Sequence, residues 1–295
     1  MEQESNRPYQ DYSSLSQILI AAINDRSFVV SVIIGCIIIS TICKIGGIIH
    51  SKFVEPHNKH KVHRDNFAQQ SAIFFHAIIT SVASYLMLFK FTFRPIEELE
   101  NLPETDPDFF YVKLYRISTV VSISYFMVSI PYELLWYDQP ILHRILMIIH
   151  HTIALLAQAG CYLTNPLIAY VASFGFQTEF SSLFLTLTCF GRAADSKNVY
   201  FIAGLGTMIF YPLTRIGFLA ITICRTYELR SNFISHGGVD TFYFVGFLGQ
   251  IFVLLMSTVY SYMLLSKPRK LLFLSGTKDT VRQAETDSLL PKHEV

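Results

Sequence analysis

This sequence has few charged residues. Only 15% of its 295 residues are Asp, Glu, Lys or Arg, whereas 52% are hydrophobic. A soluble domain of this size carries about 25% charged residues. The charges also collect in short connecting stretches and leave long windows almost free of them. This pattern is typical of a polytopic membrane protein.

Several functional motifs are absent as well. The formal net charge is only +1, so no basic field favours binding to nucleic acid. There is no G-x-S-x-G, no Walker loop and no H-E-x-x-H. The odd number of cysteines and the lack of C-x-x-C argue against a disulfide framework and a zinc site. The cysteines are Cys36, Cys43, Cys161, Cys189 and Cys224. Any chemistry must therefore come from histidines and carboxylates.

Long apolar windows dominate what is present. A membrane-spanning helix needs about 20 such residues. Seven windows qualify, at residues 28–49, 67–91, 117–137, 141–163, 167–189, 199–223 and 241–265. Only residues 164–166 separate the fourth window from the fifth, which predicts antiparallel neighbours. Residues 13–23 predict a short interfacial helix. The predicted fold is an all-α membrane protein with about seven transmembrane helices.

The distribution of Lys and Arg predicts the orientation of the chain. The loops after the first, third and fifth windows and the C-terminal tail carry the larger share of these residues. The excess of positive charge marks the cytosolic side. We therefore expect the C-terminus in the cytosol and the N-terminus in the lumen or outside the cell.

Six ionisable residues lie deep inside the windows. Such groups are costly in a membrane, so they are expected to face a protein-lined or watery cavity. They are His76, Glu133, His150, His151, Glu179 and Arg215. A further one, Lys44, can extend to the nearer interface.

The adjacent pair His150 and His151 favours two different environments. Successive helical residues are rotated by about 100°, so one imidazole can face a cavity while the other meets a neighbouring helix. Glu179 and Ser182 are three residues apart and share a helix face. Arg215 or a histidine of the fourth window is the expected partner of Glu179. The alternative is that all these groups form interhelical hydrogen bonds that only hold the bundle together.

No metal site is expected. Residues 57–63 read HNKHKVH, and the pair at 150–151 follows His143 in the spacing H-x6-H-H. Neither matches the closely spaced histidine boxes of membrane di-iron enzymes. Lys59, Lys61 and Arg64 would repel a cation in the first of these stretches, which instead favours contact with anionic lipid head groups.

The order of these elements resembles the TLC-domain proteins, a family that includes the ceramide synthases and the translocating-chain-associating membrane proteins. The resemblance covers about residues 65–270 and most resembles the small TLC-domain-containing proteins. It is carried by four features: His76 in FFHAIITS, the pair His150-His151, the stretch TEFSSLFLT at 178–186, and Arg215 in YPLTRIG.

The resemblance implies a six-helix TLC barrel around a lipid cavity. In the ceramide synthases one histidine of the pair accepts an acyl group from acyl-CoA. Carried over, His150 would be the nucleophile, His151 the base or orienting group, and Glu179 the group that fixes an imidazole tautomer. The further cavity-lining or ion-pairing residues would be His76, Glu133, Ser182 and Arg215. No bound cofactor is implied, and acyl-CoA would be a co-substrate.

Two departures bear on the substrate. The ceramide synthases carry two aspartates in their longer signature, where this chain has FQTEFSSLF with one glutamate, and their homeobox-like segment is absent here. The acceptor is therefore expected to be another lipid, such as a lysophospholipid or glycerophospholipid. The alternative is a non-catalytic, lipid-binding regulator of membrane lipid composition or trafficking. A cargo receptor or transporter is less favoured, because no internal repeat is present.

The remaining segments complete the predicted organisation. Residues 1–26 form a polar N-terminal segment, 27–64 the first transmembrane helix and a basic loop, 65–270 the TLC domain, and 271–295 a disordered cytosolic tail. The tail contains Glu285 four residues before Leu289 and Leu290. This acidic dileucine pattern predicts an adaptor complex as partner and an endosomal or lysosomal location. The endoplasmic reticulum, the usual location of the family, is the alternative.

Overall fold

The computed structural model describes residues 12–57, 64–135, 141–162 and 165–265, and within these ranges every regular element is helical. In chain order the α-helices are α1 (Leu15–Asn24), α2 (Arg26–Ile49), α3 (Arg64–Phe91), α4 (Ile96–Glu100), α5 (Phe109–Leu135), α6 (Ile141–Tyr162), α7 (Pro166–Phe176), α8 (Thr178–Ala193), α9 (Lys197–Pro212), α10 (Leu219–Glu228), α11 (Arg230–Asp240) and α12 (Gly249–Leu265). Three π-helical segments extend them, at His50–Val54, Leu213–Phe218 and Thr241–Leu248.

Five helical segments of the described chain are long and apolar enough to cross a membrane. They are Arg26–Val54, Arg64–Phe91, Phe109–Leu135, Lys197–Glu228 and Gly238–Tyr262. The prediction of an all-α membrane protein is thereby confirmed.

The other two predicted windows are also helical. The fourth is α6, whose 22 residues Ile141–Tyr162 include the apolar stretch Arg144–Gly160. The window at 167–189 is divided between α7 and α8 at Gln177, which departs from the single helix that its composition predicts. The count of seven crossings therefore stays a prediction.

Six of the segments form a closed ring. The order of neighbours is α3, α5, α6, α12, α9, α8 and back to α3, since each of these pairs is in contact. Helix α2 lies outside the ring and packs on α3 and α5. This arrangement agrees with a six-helix barrel preceded by one extra helix.

Small residues bring the helices of the ring close together. Gly206 on α9 leaves the space that the ring of Phe184 on α8 occupies. At the other end of the same helix pair, Gly191 packs against the backbone of Tyr200. In a membrane, helix association depends on such close packing, because lipid is as apolar as the side chains.

The two prolines within the helices act differently. A proline inside a helix removes a backbone donor and clashes with the preceding turn, which can kink or end the helix. Helix α5 nevertheless continues through Pro131 to Leu135. Helix α9 ends at Pro212, and the chain widens into the π-helix Leu213–Phe218, which carries Arg215.

The connector between α3 and α5 is ordered, although its acidity is typical of a solvated loop. It contains α4, and Leu99 at the end of that helix is fully buried. Lys90 forms an ion pair with Asp108 at 2.9 Å, and Arg94 lies 3.2 Å from the same carboxylate. These contacts fix the ends of α3 and α5 relative to each other.

The N-terminal helix α1 packs against α6 and α11. The Leu15 amide donates to Asp240 Oδ2 at 2.8 Å, and the Tyr12 amide donates to the His236 carbonyl at 3.0 Å. Ile18 is fully buried. The predicted short helix at 13–23 is therefore present and docked on the ring.

Candidate functional site

A local tightening of the backbone at Gln177 positions the acidic residue of the site. The hydrogen bonds there span three residues instead of four: the Gln177 amide donates to Phe174, and the Phe180 amide donates to Gln177. Helix α8 begins one residue later, so Glu179 lies in its first turn. The positive end of a helix dipole favours a carboxylate at that position.

Glu179 belongs to a polar cluster formed by side chains of α8 and of the π-helix after Pro212. The Ser182 hydroxyl donates to Glu179 Oε2 at 3.0 Å, as their three-residue spacing predicts. Arg215 donates from Nε to the Ser181 hydroxyl at 3.1 Å and from Nη2 to the Ser182 hydroxyl at 2.8 Å. The same Nη2 lies 3.8 Å from Glu179 Oε1. The carboxylate and the guanidinium thus share Ser182, while Ser181 accepts from Arg215 alone and donates to the Thr178 carbonyl.

The histidine nearest to Glu179 comes from the second predicted window and not from the fourth. His76 Nδ1 lies 3.9 Å from Glu179 Oε2. The other ring nitrogen, Nε2, is 2.6 Å from the Ser122 hydroxyl of α5. The imidazole stacks on Tyr125 with ring centroids 4.5 Å apart, and His76 is only 1% exposed. His76 therefore links α3 to both α5 and α8.

A largely apolar cavity lies inside the ring next to this cluster. Its volume is about 140 Å³, and residues of α5, α6, α7, α8, α10 and α11 line it. The lining is completed by the last helical segment, which is the π-helix Thr241–Leu248 together with α12. Glu179 and His150 are both part of its lining, together with small and apolar side chains such as Ala154, Ala157 and Val171. The cavity thus combines an apolar volume with one carboxylate and one imidazole.

The two adjacent histidines of α6 have different surroundings. His150 lines the cavity, and its ring makes no hydrogen bond within the described part of the chain. His151 is buried away from the cavity, and its Nδ1 is 3.0 Å from the Ser129 hydroxyl of α5. It also packs on Phe126, with ring centroids 5.2 Å apart. The expected division, one imidazole to a cavity and one to a neighbouring helix, is found.

His150 and His151 are close but not hydrogen-bonded to each other. Their ring centroids are 5.5 Å apart. Within the described chain, the ion pairs of Glu179 shorter than 4.0 Å are with His76 and Arg215 and not with His150, although His150 faces the same cavity. The imidazole that Glu179 approaches is that of His76.

Glu133 lies away from this cavity. It is 3% exposed and accepts a hydrogen bond from Gln69 Nε2 at 2.7 Å. The cavity lining likewise does not include His76, Ser182 or Arg215. These residues contact Glu179, which does line the cavity. Of the residues that the sequence singles out, the structure thus brings His76, Glu179, Ser182 and Arg215 together and places Glu133 elsewhere.

Sequence reasoning overlooked the uncharged amides of the site. Gln158 and Gln250 line the cavity, and Gln177 is fully buried at the junction of α7 and α8. The available signal was a glutamine inside an otherwise apolar window, which is as unusual in a membrane helix as a hydroxyl cluster. The side chain of His143 and the residues Glu285, Leu289 and Leu290 lie outside the described part of the chain.

The chain was compared with known families and proteins. The family model of the TLC domain matches residues 66–267, which is more than half of the chain. Neither the search of curated proteins nor the search of solved structures gave a match.

Proposed function

This chain belongs to the TLC-domain family, and on that premise we propose that it transfers an acyl chain from acyl-CoA to a lipid acceptor through His150. Membership in the family supports a function related to membrane lipids. One observation carries the finer proposal: a histidine without hydrogen bonds in the described chain faces an apolar cavity that it shares with a carboxylate.

The chemistry suits a neutral imidazole in that position. The unprotonated ring nitrogen of His150 attacks the thioester carbon, the C–S bond breaks, and the CoA thiolate leaves. The ring then holds the acyl group as an acyl-imidazole, and its remaining N–H proton neutralises the departing thiolate. A hydroxyl of the acceptor lipid attacks the same carbon and the C–N bond to the ring breaks. The hydroxyl proton passes to the ring, which restores the neutral imidazole. The apolar walls of the cavity accommodate the acyl tail and exclude water, which would hydrolyse the intermediate.

The polar cluster supports this step electrostatically. Attack by a neutral imidazole leaves a transient positive charge on the ring, and a fixed carboxylate in the same cavity stabilises such a charge. Arg215 and Ser182 hold Glu179 in one position, and the first turn of α8 favours its ionised form. His151 acts through the position of α6, because its ring is held by Ser129.

The second candidate function is a non-catalytic lipid-binding protein that regulates membrane lipid composition or trafficking. The observation that favours it is the number of polar side chains used for interhelical contacts. His76, His151 and Arg215 each join two helices, which is a sufficient reason for polar residues in a bundle. In this case the cavity would hold a lipid without reacting with it.

A transfer assay separates the two candidates. The protein is purified in lipid nanodiscs and incubated with radiolabelled acyl-CoA and a lysophospholipid, beside His150→Ala, His151→Ala and the control Thr152→Ala. Thr152 is exposed on the same helix and donates only to the carbonyl of Ile148. We expect His150→Ala to reduce transfer at least about a hundredfold, with Thr152→Ala unchanged. Lipid binding without transfer in the unchanged chain would favour the non-catalytic function.

The cellular location is proposed from the tail. An acidic dileucine at Glu285, Leu289 and Leu290 supports sorting to endosomes or lysosomes by a cytosolic adaptor complex. The positive charge of the cytosolic loops supports a cytosolic C-terminus, where such an adaptor acts. Residence in the endoplasmic reticulum is the alternative.

A further inference from the structure

The cavity extends well beyond His150 along the helices that line it. On α6 its lining runs from His150 to Gly160, ten residues or about 15 Å of helix. On the last helical segment it runs from Val253 to Thr241. The cavity is therefore elongated, with His150 toward one end and Gly160 and Thr241 toward the other, called here the far end.

The middle of the cavity is apolar, but the far end is not. Gln158 of α6 and Thr241 of the last segment both line the cavity, and each is only 8% exposed. In the described part of the chain, Gln158 Oε1 and Thr241 Oγ1 have no hydrogen-bond partner. A linear apolar tail would leave both groups unpaired at this depth.

The N-terminal helix packs across the far end. The position of a β-carbon at Gly160 would be in contact with Leu15, the first residue of α1. The amides of Tyr12 and Leu15 bind α11, and Gly238 of α11 adopts a positive φ of 82° where the backbone of Ser13 passes close by. Only glycine adopts this conformation easily with a second backbone so close. Helix α1 thus lies beside the far end of the cavity, next to Gly160.

Because Gln158 and Thr241 are buried, their lack of a hydrogen-bond partner gives information about the ligand. A primary amide that is buried without a hydrogen bond costs free energy, and the penalty is largest in an apolar environment. Such groups normally find a partner in the protein, in water or in a ligand. A ligand that fills the apolar middle of the cavity will bring its own end to this position.

We infer that the cavity accepts a linear amphiphile with a hydroxyl group at the far end of its chain, bound by Gln158 and Thr241. The eight residues from His150 to Gln158 correspond to about 12 Å of helix. An extended alkyl chain, with C–C bonds of about 1.5 Å, covers this distance with roughly ten carbons. The inference rests on the proposed function, since it takes the carbon at His150 as the start of that chain.

The chemistry of the far end favours a neutral hydroxyl over a charged group. A glutamine amide offers donors and an acceptor, and a threonine hydroxyl offers both, so a hydroxyl of the ligand can pair with either. No Lys or Arg is among the described residues that line the cavity. A terminal carboxylate would therefore remain without a counter-ion.

The inference is tested by binding, so that catalysis is not required. Methyl decanoate and methyl 10-hydroxydecanoate differ only in the terminal hydroxyl, and neither has the reactive thioester. Their affinities are measured by displacement of radiolabelled methyl decanoate from the purified full chain in nanodiscs. The same ratio of affinities is measured for Gln158→Leu and for the control Gln250→Leu. Gln250 is a cavity-lining amide near the His150 end, so the control removes the same chemical group from a different place.

The compared quantity is the affinity for the hydroxy ester divided by the affinity for methyl decanoate. We expect this ratio to be about three- to tenfold higher in the unchanged chain than in Gln158→Leu, the range typical of one hydrogen bond. Gln250→Leu should leave the ratio unchanged. If both esters bind and Gln158→Leu leaves their ratio unaltered, the inference is overturned while the lipid cavity stands. If neither ester binds the unchanged chain, the proposed function fails and the inference with it. Thr241→Val gives the same comparison should Gln158→Leu not fold.

Discussion

At the scale of single residues, two neighbours in the chain have different tasks. His150 and His151 are one rotation step of about 100° apart, so the helix directs one to the cavity and the other to Ser129. A free imidazole in an apolar volume is suited to nucleophilic chemistry, whereas an imidazole bonded to a serine holds two helices together. Under the proposed function, the adjacent pair consists of one reactive and one positioning group.

Arg215 and Glu179 give the first prediction at this scale. Arg215→Met leaves the Glu179 carboxylate buried without its counter-charge and should destabilise the protein by about 3–5 kcal/mol. Arg215→Met combined with Glu179→Gln removes both charges and should recover a large part of that loss. Thermal unfolding of the purified variants in detergent measures both effects. Equal stability of the single and the double variant would contradict the ion pair.

Some of the site follows from sequence at the residue scale. The contact between Glu179 and Ser182 depends only on their spacing within one helix, and Arg215 was one of the two partners expected for Glu179. The approach of His76 to Glu179 depends on how α3 and α8 pack, which no local pattern encodes. Gln158 and Gln250 carry no charge, so a search for ionisable residues passes over them.

At the scale of elements, most helix positions follow from apolar composition, and the irregular ones do not. The predicted window at 67–91 ends where α3 ends, at Phe91. The junction at Gln177 was not predicted, because one tightened turn changes neither the hydrophobicity nor the length of the window. The junction matters for the site, since it makes Glu179 part of a first helical turn.

Two glycines of the sixth predicted window give a matched prediction on helix packing. A β-carbon at Gly206 would collide with the ring of Phe184, which itself stacks on Phe210 at 4.9 Å. A β-carbon at Gly217 would meet no atom within 4 Å. Gly206→Ala should therefore destabilise the protein by about 1–3 kcal/mol.

Gly217→Ala should be neutral, or stabilising by up to about 1 kcal/mol, because alanine restricts the unfolded chain. Thermal unfolding in the same detergent allows the two variants to be compared directly. The close packing of α8 on α9 would be refuted if Gly206→Ala melted no lower than Gly217→Ala.

At the scale of the whole molecule, the TLC domain and the segments outside it are joined. Helix α2 packs on the outside of the ring, and α1 is bound to α11 through Asp240 and His236. Neither helix belongs to the matched residues 66–267. All residues that line the cavity belong to the matched part of the chain, and the N-terminal helix lies beside the far end of the cavity.

The tail gives a prediction about location. Leu289→Ala with Leu290→Ala should move the protein from lysosomes to the cell surface or earlier compartments, because an adaptor reads the acidic residue and both leucines together. The matched control is Leu271→Ala with Leu272→Ala, a leucine pair that has Lys267 at the position equivalent to Glu285. Fluorescence microscopy with lysosomal and reticular markers measures the shift. An unchanged location of the first double variant would reject the sorting signal.

The central claim is that His150 carries the acyl group, and intact-mass measurement of the protein tests it most directly. The purified chain is mixed with acyl-CoA without an acceptor, quenched, and digested to map the modified residue. We predict a mass increase of one acyl group on His150, its absence in His150→Ala, its persistence in His151→Ala, and its loss from the protein when acceptor lipid is added. Transfer to the acceptor without any adduct on His150, or an unchanged rate of transfer in His150→Ala, would contradict the account.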